Sequence, residues 1–314
     1  MTLKTVFMFA GQGSQHFQMA RELFDHNQDF RQSMLELDEL ARQSGGSSVI
    51  EAIYSGNRVD TFARTLQTHP AIFMVEYSLA RCLMNAGVIP DMTLGASLGT
   101  FAAAAVAGFL DVEHAMSAVL HQAATFESTC PPGGMIAILA DPALFAEGFL
   151  REHSELAAVN FASHFVVSAP RSHLDGIEAE LRARHVTHQR LAVSAAFHSH
   201  WIDDARAPLQ AFMRTLPRAR GRLPLVSCER AAALTDLSDD FFWRVVREPI
   251  RFRDTLSQLE RTGACRYIDV GPGGTMATFA RYGLSPSSRS TSHAILSPFG
   301  QDQKQLATLL KLTG

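Results

Sequence analysis

The sequence predicts an α/β protein whose large subdomain is interrupted by a small ferredoxin-like subdomain. Three observations support this prediction. Short apolar runs that suit buried strands alternate along the chain with longer stretches of helical spacing. A Gly-x-Ser-x-Gly sequence at residues 95–99 lies between a predicted strand and a predicted helix. Residues 131–193 have the order β-α-β-β-α-β, which is typical of ferredoxin-like folds.

The composition is that of a globular protein without a strong charge bias. The chain has 314 residues, of which 46% are hydrophobic and 19% charged, and its formal net charge is -3. This balance favours neither a nucleic-acid partner nor a membrane partner. The four cysteines are far apart and form no C-x-x-C pair, so we expect reduced thiols in a cytoplasmic protein. Nothing in the sequence requires an oligomer, and we expect a monomer.

The first part of the large subdomain, residues 1–130, begins with a buried strand at 4–10, which is too short and too soon interrupted for a signal peptide. The glycine-rich loop at 11–15 lacks both the spacing of a dinucleotide site and the lysine of a phosphate-binding loop. We therefore interpret it as a loop whose backbone N–H groups face the serine. A second strand is predicted at 88–94, and helices are predicted at 17–40, 68–83, 101–110 and 112–125.

The inserted subdomain is predicted to span residues 131–193, after the break at Pro131-Pro132-Gly133-Gly134. Its strands are expected at 135–139, 157–161, 165–168 and 188–193, and its helices at 142–153 and 174–185. The large subdomain resumes at Ser194 and continues to residue 314. Its remaining strands are expected at 223–227, 267–270 and 294–296, and its helices at 201–212, 239–246, around 256–259 and at 302–312.

Ser97, the serine of the Gly-x-Ser-x-Gly sequence, is the candidate nucleophile. The glycines on either side permit a sharp turn and a close approach of strand and helix. Such a turn places the hydroxyl at the N-terminus of the following helix, where backbone N–H groups can bind a developing oxyanion. The alternative is a packing turn rich in glycine and alanine that carries the pattern by chance.

A serine hydroxyl needs a base to take its proton, and His198 is the best candidate among the thirteen histidines. It follows the return from the inserted subdomain and precedes a predicted helix. The alternative is a histidine that caps this helix or lines a polar surface. His200 would point elsewhere, and no third ligand nearby suggests a metal site. The histidines expected on the surface or in structural roles are His69, His121, His164, His185, His188 and His293.

The base normally has an orienting partner, and the sequence leaves its identity open. No carboxylate stands out in a triad position. The candidates are Asp203, Asp204, Asp239, Asp240 and Asp269. A backbone carbonyl could orient the imidazole instead, which would make the pair a Ser–His dyad.

Six motifs, in this order along the chain, resemble those of malonyl-CoA:acyl-carrier-protein transacylases and of the acyltransferase domains of polyketide synthases. They are FAGQGSQ at 9–15, QTHPA at 67–71, GASLG at 95–99, AAFHS at 195–199, EPIRF at 248–252 and DVGPG at 269–273. The resemblance covers nearly the whole chain. It implies an α/β-hydrolase-like large subdomain with a ferredoxin-like insertion, which agrees with the order of elements above.

The resemblance also implies a ping-pong mechanism in which Ser97 takes the acyl group from a thioester and His198 acts first as base and then as acid. The backbone N–H groups of Gln12 and Leu98 would form the oxyanion hole, and the carbonyl of Arg251 would orient His198. The implied partners are acyl carrier protein domains and, as another acyl source, coenzyme A thioesters. The acyl group would arrive on phosphopantetheine, with no further cofactor and no metal.

The sequence departs from the malonyl-specific members at the positions that hold the substrate. Ala96 stands where those members have histidine before the nucleophile, and the position of their carboxylate-binding arginine falls on Gln122. Before His198, residues 195–197 read Ala-Ala-Phe in place of His-Ala-Phe, with Phe197 retained. A buried carboxylate needs a charged partner, whereas a glutamine offers only a neutral hydrogen bond. The pocket is therefore expected to disfavour malonyl and to accept neutral acyl groups. Gln67 and Asn160 complete the expected substrate-binding residues.

Members of the family without this arginine act as discrete acyl hydrolases beside polyketide synthases that lack built-in acyltransferases. The resemblance therefore favours a hydrolase that clears stalled acyl groups from carrier proteins, with His198 activating water in the second step. A transacylase for malonyl or another acyl group remains an alternative. A third hypothesis is a catalytically weak module that only docks the carrier protein, against which the intact serine and histidine argue.

Overall fold

The computed structural model describes residues 3–313 and contains a six-stranded sheet and a four-stranded sheet. Strands and helices are numbered separately in chain order. The strands are β1 (Lys4–Phe9), β2 (Met92–Gly95), β3 (Gly133–Ile138), β4 (Glu155–Phe161), β5 (His164–Pro170), β6 (His188–Arg190), β7 (Leu225–Ser227), β8 (Ala232–Leu234), β9 (Cys265–Asp269) and β10 (Thr291–Ala294).

The α-helices occur between and after these strands along the chain. They are α1 (Arg21–His26), α2 (Gln28–Gln43), α3 (Val49–Tyr54), α4 (Thr65–Asn85), α5 (Gly99–Ala107), α6 (Val112–Thr129), α7 (Gly148–Arg151), α8 (Arg171–Ala183), α9 (Arg206–Met213), α10 (Phe241–Arg247), α11 (Phe252–Thr262), α12 (Thr275–Gly283) and α13 (Asp302–Thr313). Two segments, Pro142–Ala146 and His200–Ala205, are 3-10 helices.

The larger sheet has the strand order β10-β9-β1-β2-β7-β8. Its first five strands are parallel, and β8 pairs antiparallel with β7 at one edge. Residues 5–9 of β1 are buried, as a central parallel strand covered on both faces requires. The carboxyl ends of β1 and β2 lie side by side, with Phe9 paired to Gly95. The loops that follow these two strands therefore meet at one edge of the sheet.

The smaller sheet is antiparallel with the order β4-β5-β3-β6, and its strands lie between residues 133 and 190. Its sequence of elements is the β-α-β-β-α-β order predicted for a ferredoxin-like subdomain, so the two-subdomain α/β architecture is confirmed. Alternate residues face opposite ways along a strand. In β3, Ile136 and Ile138 pack with the helices of the small subdomain, whereas Met135 and Ala137 belong to the core that it shares with the large subdomain.

Several predicted elements differ from those in the structure. The helix predicted at 17–40 is two helices, because Asn27 ends α1 and its side chain caps α2 by accepting a hydrogen bond from the Phe30 N–H at 2.9 Å. The helices predicted at 142–153 and 201–212 each begin as a 3-10 helix. Strand β8, whose residues are partly or fully exposed, was not predicted. Within residues 3–313, no helix is both long and apolar enough to cross a membrane.

Candidate active site

Ser97 lies in the sharp turn between β2 and α5, at the edge of the sheet where β1 also ends. Its backbone adopts a left-handed conformation with φ of 52°, which is uncommon for a residue other than glycine. The turn is too tight for side chains at its flanks. A Cβ at Gly95 would lie 2.5 Å from the Cα of Thr100, and a Cβ at Gly99 would overlap the carbonyl oxygen of Phe9. The predicted strand, sharp turn and helix are therefore all present.

His198 meets this serine from the other side of the cleft, 101 residues further along the chain, with 2.8 Å between Ser97 Oγ and His198 Nε2. The Nδ1–H of His198 donates to the backbone carbonyl of Glu248 at 2.7 Å. Because a carbonyl can only accept, Nδ1 carries the proton and Nε2 is left free to accept the serine proton. Burial lowers the pKa of His198 to about 4, against the opposing effect of the hydrogen bond to Glu248. The imidazole is therefore a neutral base at pH 7.

The predicted role of Arg251 as the orienting carbonyl is wrong; Glu248, three residues earlier, has it. Glu248 ends α10 in an extended conformation, and helix-terminal carbonyls lack intrahelical partners. The Arg251 carbonyl is already used at the start of α11, where it accepts from the N–H and the hydroxyl of Thr255 at 2.9 and 2.7 Å. No carboxylate within the described chain is hydrogen-bonded to His198, so the pair is a dyad oriented by a backbone carbonyl.

The segment that orients His198 is fixed by the small subdomain. The N–H of Ile250 donates to the Ala157 carbonyl at 2.8 Å, and the N–H of Val159 donates to the Ile250 carbonyl at 2.9 Å. Strand β4 thus holds the chain two residues after Glu248. The contact between subdomains therefore positions the base as well as enclosing the site.

The loop after β1, residues 10–13, packs directly against the serine and is called the Gln12 loop below. A Cβ at Gly11 would lie 2.9 Å from the Cβ of Ser97, so only glycine allows this approach. Gln12 and Leu98 both line the cavity around Ser97. Neither backbone N–H donates a hydrogen bond to any other described residue. Both are therefore available to an oxygen bound beside Ser97.

The cavity has a volume of about 290 Å³ and contains most of the predicted substrate-binding residues. Ala96, Gln122, Asn160 and Phe197 line it. The remaining lining is mainly apolar, and none of the described residues that line it is Lys, Arg, Asp or Glu. Gln122 is fully buried on α6. The cavity therefore offers hydrogen bonds but no formal charge to an acyl group.

Gln67 does not line this cavity, so its predicted place in the substrate pocket is wrong, and His69 lies there instead. Successive residues of a helix are about 100° apart, so positions 67 and 69 of α4 face nearly opposite ways. His69 is 2% exposed, so it does not lie on the surface, which was one of its two expected places. It lies three to seven residues before the buried Ile72, Phe73 and Glu76, and this helical periodicity could have revealed its position.

The sequence also gave no sign of His164 at the site. It lines the cavity, and its Nδ1 lies 3.0 Å from the Nδ2 of Asn160. Burial lowers the pKa of His164, so this side chain adds no positive charge at neutral pH. Among residues 3–313 there is no group of three or more His, Cys, Asp or Glu side chains that could hold a metal ion.

Comparison with known proteins agrees with this geometry. Residues 6–314 match the family described as the acyl transferase domain. The polyketide biosynthesis acyltransferase homolog BaeD of Bacillus velezensis is 47% identical over 304 residues, which cover 96% of this chain and 94% of that protein. The homolog PksD of Bacillus subtilis is 42% identical over 307 residues, covering 97% and 95%.

A solved structure shares both the fold and part of the sequence. The acyl transferase domain of SpnD, in complex with 2-(pent-4-yn-1-yl)malonyl, matches with a TM-score of 0.89 at 28% identity, covering 99% of this chain and 76% of that one. These matches agree with the serine in its tight turn and the neutral histidine beside it. The chain belongs to the acyl transferase domain family.

Proposed function

We propose that this enzyme hydrolyses neutral acyl groups from acyl carrier protein in polyketide biosynthesis, through an acyl-serine intermediate. The observation that carries the proposal is Gln122, a neutral, fully buried side chain in a cavity whose described lining has no formal charge. A carboxylate placed there would lose its hydration without gaining a cation. Acetyl and other uncharged acyl groups meet no such penalty.

In the first step, His198 Nε2 accepts the proton of Ser97 as Oγ attacks the thioester carbonyl. The backbone N–H groups of Gln12 and Leu98 stabilise the resulting oxyanion. The Glu248 carbonyl stabilises the imidazolium through its Nδ1–H. Collapse of the tetrahedral intermediate breaks the C–S bond, and His198 returns the proton to the leaving thiol. Ser97 is then an ester.

In the second step, a water molecule replaces the thiol and His198 takes a proton from it. Attack on the ester carbonyl and return of the proton to Ser97 release the free acid. The polyketide context is supported by the names of the two relatives that match nearly end to end. The phosphopantetheine thioester of the carrier protein supplies the acyl group, and we propose no further cofactor.

Transfer of the acyl group to a second thiol is the other candidate, because the matched family is one of acyl transferases. The two functions share the first step and differ only in the acceptor. Malonyl is a poor substrate under either function, because the same uncharged cavity holds the acyl group. A separate measurement of the acceptor is therefore needed.

The experiment uses carrier protein loaded with acetyl, butyryl or malonyl, with and without free carrier protein and coenzyme A. Intact-protein mass spectrometry and detection of free acid follow the products. We expect release of acetate and butyrate at a rate that free carrier protein does not suppress, little malonate, and no activity from Ser97→Ala. Malonyl transfer that is much faster than hydrolysis would overturn the proposal. Neutral acyl transfer that outpaces hydrolysis would establish the transacylase instead.

A further inference from the structure

Helix α4 holds the Gln12 loop through side chains from one part of its surface. The Gln12 amide is held at both ends: its Nε2 donates to Thr68 Oγ1 at 3.0 Å, and its Oε1 lies 3.1 Å from His69 Nε2. Two turns further along α4, Glu76 Oε1 accepts from the N–H of Ala10 at 2.5 Å. The residues on both sides of Gly11 are thereby tied to the same helix, Ala10 through its backbone and Gln12 through its side chain.

Of the three α4 side chains that hold the Gln12 loop, His69 also contacts Gln122, the residue expected to face the acyl group. Its Nδ1 lies 3.5 Å from the Nε2 of Gln122. Its ring packs against Phe197, which precedes His198, with 5.8 Å between ring centroids. One buried side chain thus contacts the Gln12 loop, the acyl pocket and the segment of the base.

The proton of His69 can be assigned from its partners. Burial lowers its pKa to about 3, so the ring is neutral and has a single N–H. Gln12 Oε1 can only accept, so His69 Nε2 carries the proton and Nδ1 accepts from the amide of Gln122. The Oε1 of Gln122 is then left buried without a partner among the described residues. The single N–H of His69 therefore donates its hydrogen bond to Gln12.

We propose that His69 is a positioning residue that acts through Gln12. By donating to the Gln12 side chain, it holds the backbone N–H of Gln12 toward the carbonyl oxygen of the thioester that Ser97 attacks. A phenylalanine would fill a similar buried volume without polar groups to desolvate, so packing alone does not call for an imidazole here. The inference rests on the proposed acylation of Ser97 and holds for hydrolysis and transfer alike.

Three variants of His69 separate positioning from packing. In His69→Gln the amide nitrogen occupies roughly the place of Nε2 and can still donate to Gln12. In His69→Asn the amide falls near Nδ1 and does not reach Gln12, and His69→Phe has no hydrogen bond at all. The measurement is pre-steady-state acylation of Ser97 by acetyl carrier protein, which yields a burst amplitude, a rate constant and its dependence on substrate concentration.

We expect His69→Phe and His69→Asn to acylate about 10- to 100-fold more slowly at saturation, with less than about a threefold change in the half-saturating concentration. His69→Gln should stay within about threefold of the wild type. A merely structural role would lower the burst amplitude and the Tm but leave the rate constant of the active fraction unchanged. That result, or equal slowing in His69→Gln and His69→Phe, would overturn the inference. A wild type that forms no acyl-serine would instead refute the proposed function.

Discussion

Substitution of Gln122 by arginine should allow the cavity to bind a malonyl group. Gln122 is fully buried, and the described lining of the cavity has no charge of its own. Loss of one partner from a buried charge pair costs roughly 2–5 kcal/mol, much of it for the charge left unpaired. If the ion pair between the new arginine and the malonyl carboxylate stabilises the transition state by about 3 kcal/mol, the ratio of kcat/KM for malonyl over acetyl should rise about 100-fold.

The same substitution should destabilise the free protein. The guanidinium would replace an amide that lies 3.5 Å from the Nδ1 of a neutral histidine, with no counter-ion in the described lining. A bound malonyl group would supply that counter-ion. We therefore expect a lower Tm for the free variant and a larger rise in Tm on malonyl acylation than in the wild type.

The assay is rapid mixing of enzyme with malonyl- or acetyl-loaded carrier protein, followed by mass measurement of the acyl-enzyme. Gln122→Met is the matched control, because it has similar length and no charge and should leave malonyl rejected. A Gln122→Arg protein that is folded, acylates with acetyl, and shows an unchanged malonyl-to-acetyl ratio would refute this reasoning. Position 122 would then not face the acyl group.

Three further predictions concern the base, a buried acid and the turn. The acylation rate should be constant from pH 6 to 8 and fall about tenfold per pH unit only below about pH 4, because His198 must be neutral to act as the base. An inflection near pH 6.5 in the rate profile would contradict the burial of His198. Burial raises the pKa of Glu76 well above its usual range, so the folded state retains a proton that the unfolded state releases. The free energy of unfolding should therefore fall by up to about 1.4 kcal/mol per unit on account of Glu76 as pH rises from the ordinary Glu pKa to the folded value, and denaturant titrations of Glu76→Gln should show a smaller fall than the wild type. Gly99→Ala should lower the free energy of unfolding by at least about 2 kcal/mol and abolish most activity, because the new Cβ would overlap the backbone at the end of β1. Gly176→Ala in α8 is the control: its Cβ would have nothing within 4 Å, so thermal unfolding should show a neutral or stabilising effect.

Local pattern was enough for most of the fold. The apolar runs of β1 and β9, the glycine-flanked turn after β2 and the β-α-β-β-α-β order each depend on residues close together in sequence. Helix ends were predicted less well, because capping and 3-10 geometry depend on single side chains such as Asn27. Strand β8 was missed, since its partly exposed residues are paired only through β7.

The sequence predicted Ser97 as the nucleophile, from the glycines around it, and His198 as the base, from the motif it shares with the family. Which carbonyl orients His198 became clear only in the folded chain. Glu248 and Arg251 are three residues apart in one motif, and the difference lies in which carbonyl a helix has already used. The structure also placed His69 rather than Gln67 in the cavity. There His69 of α4 meets Gln12, 57 residues earlier in the chain, and Gln122 of α6, 53 residues later. No local sequence pattern encodes contacts over such sequence separations.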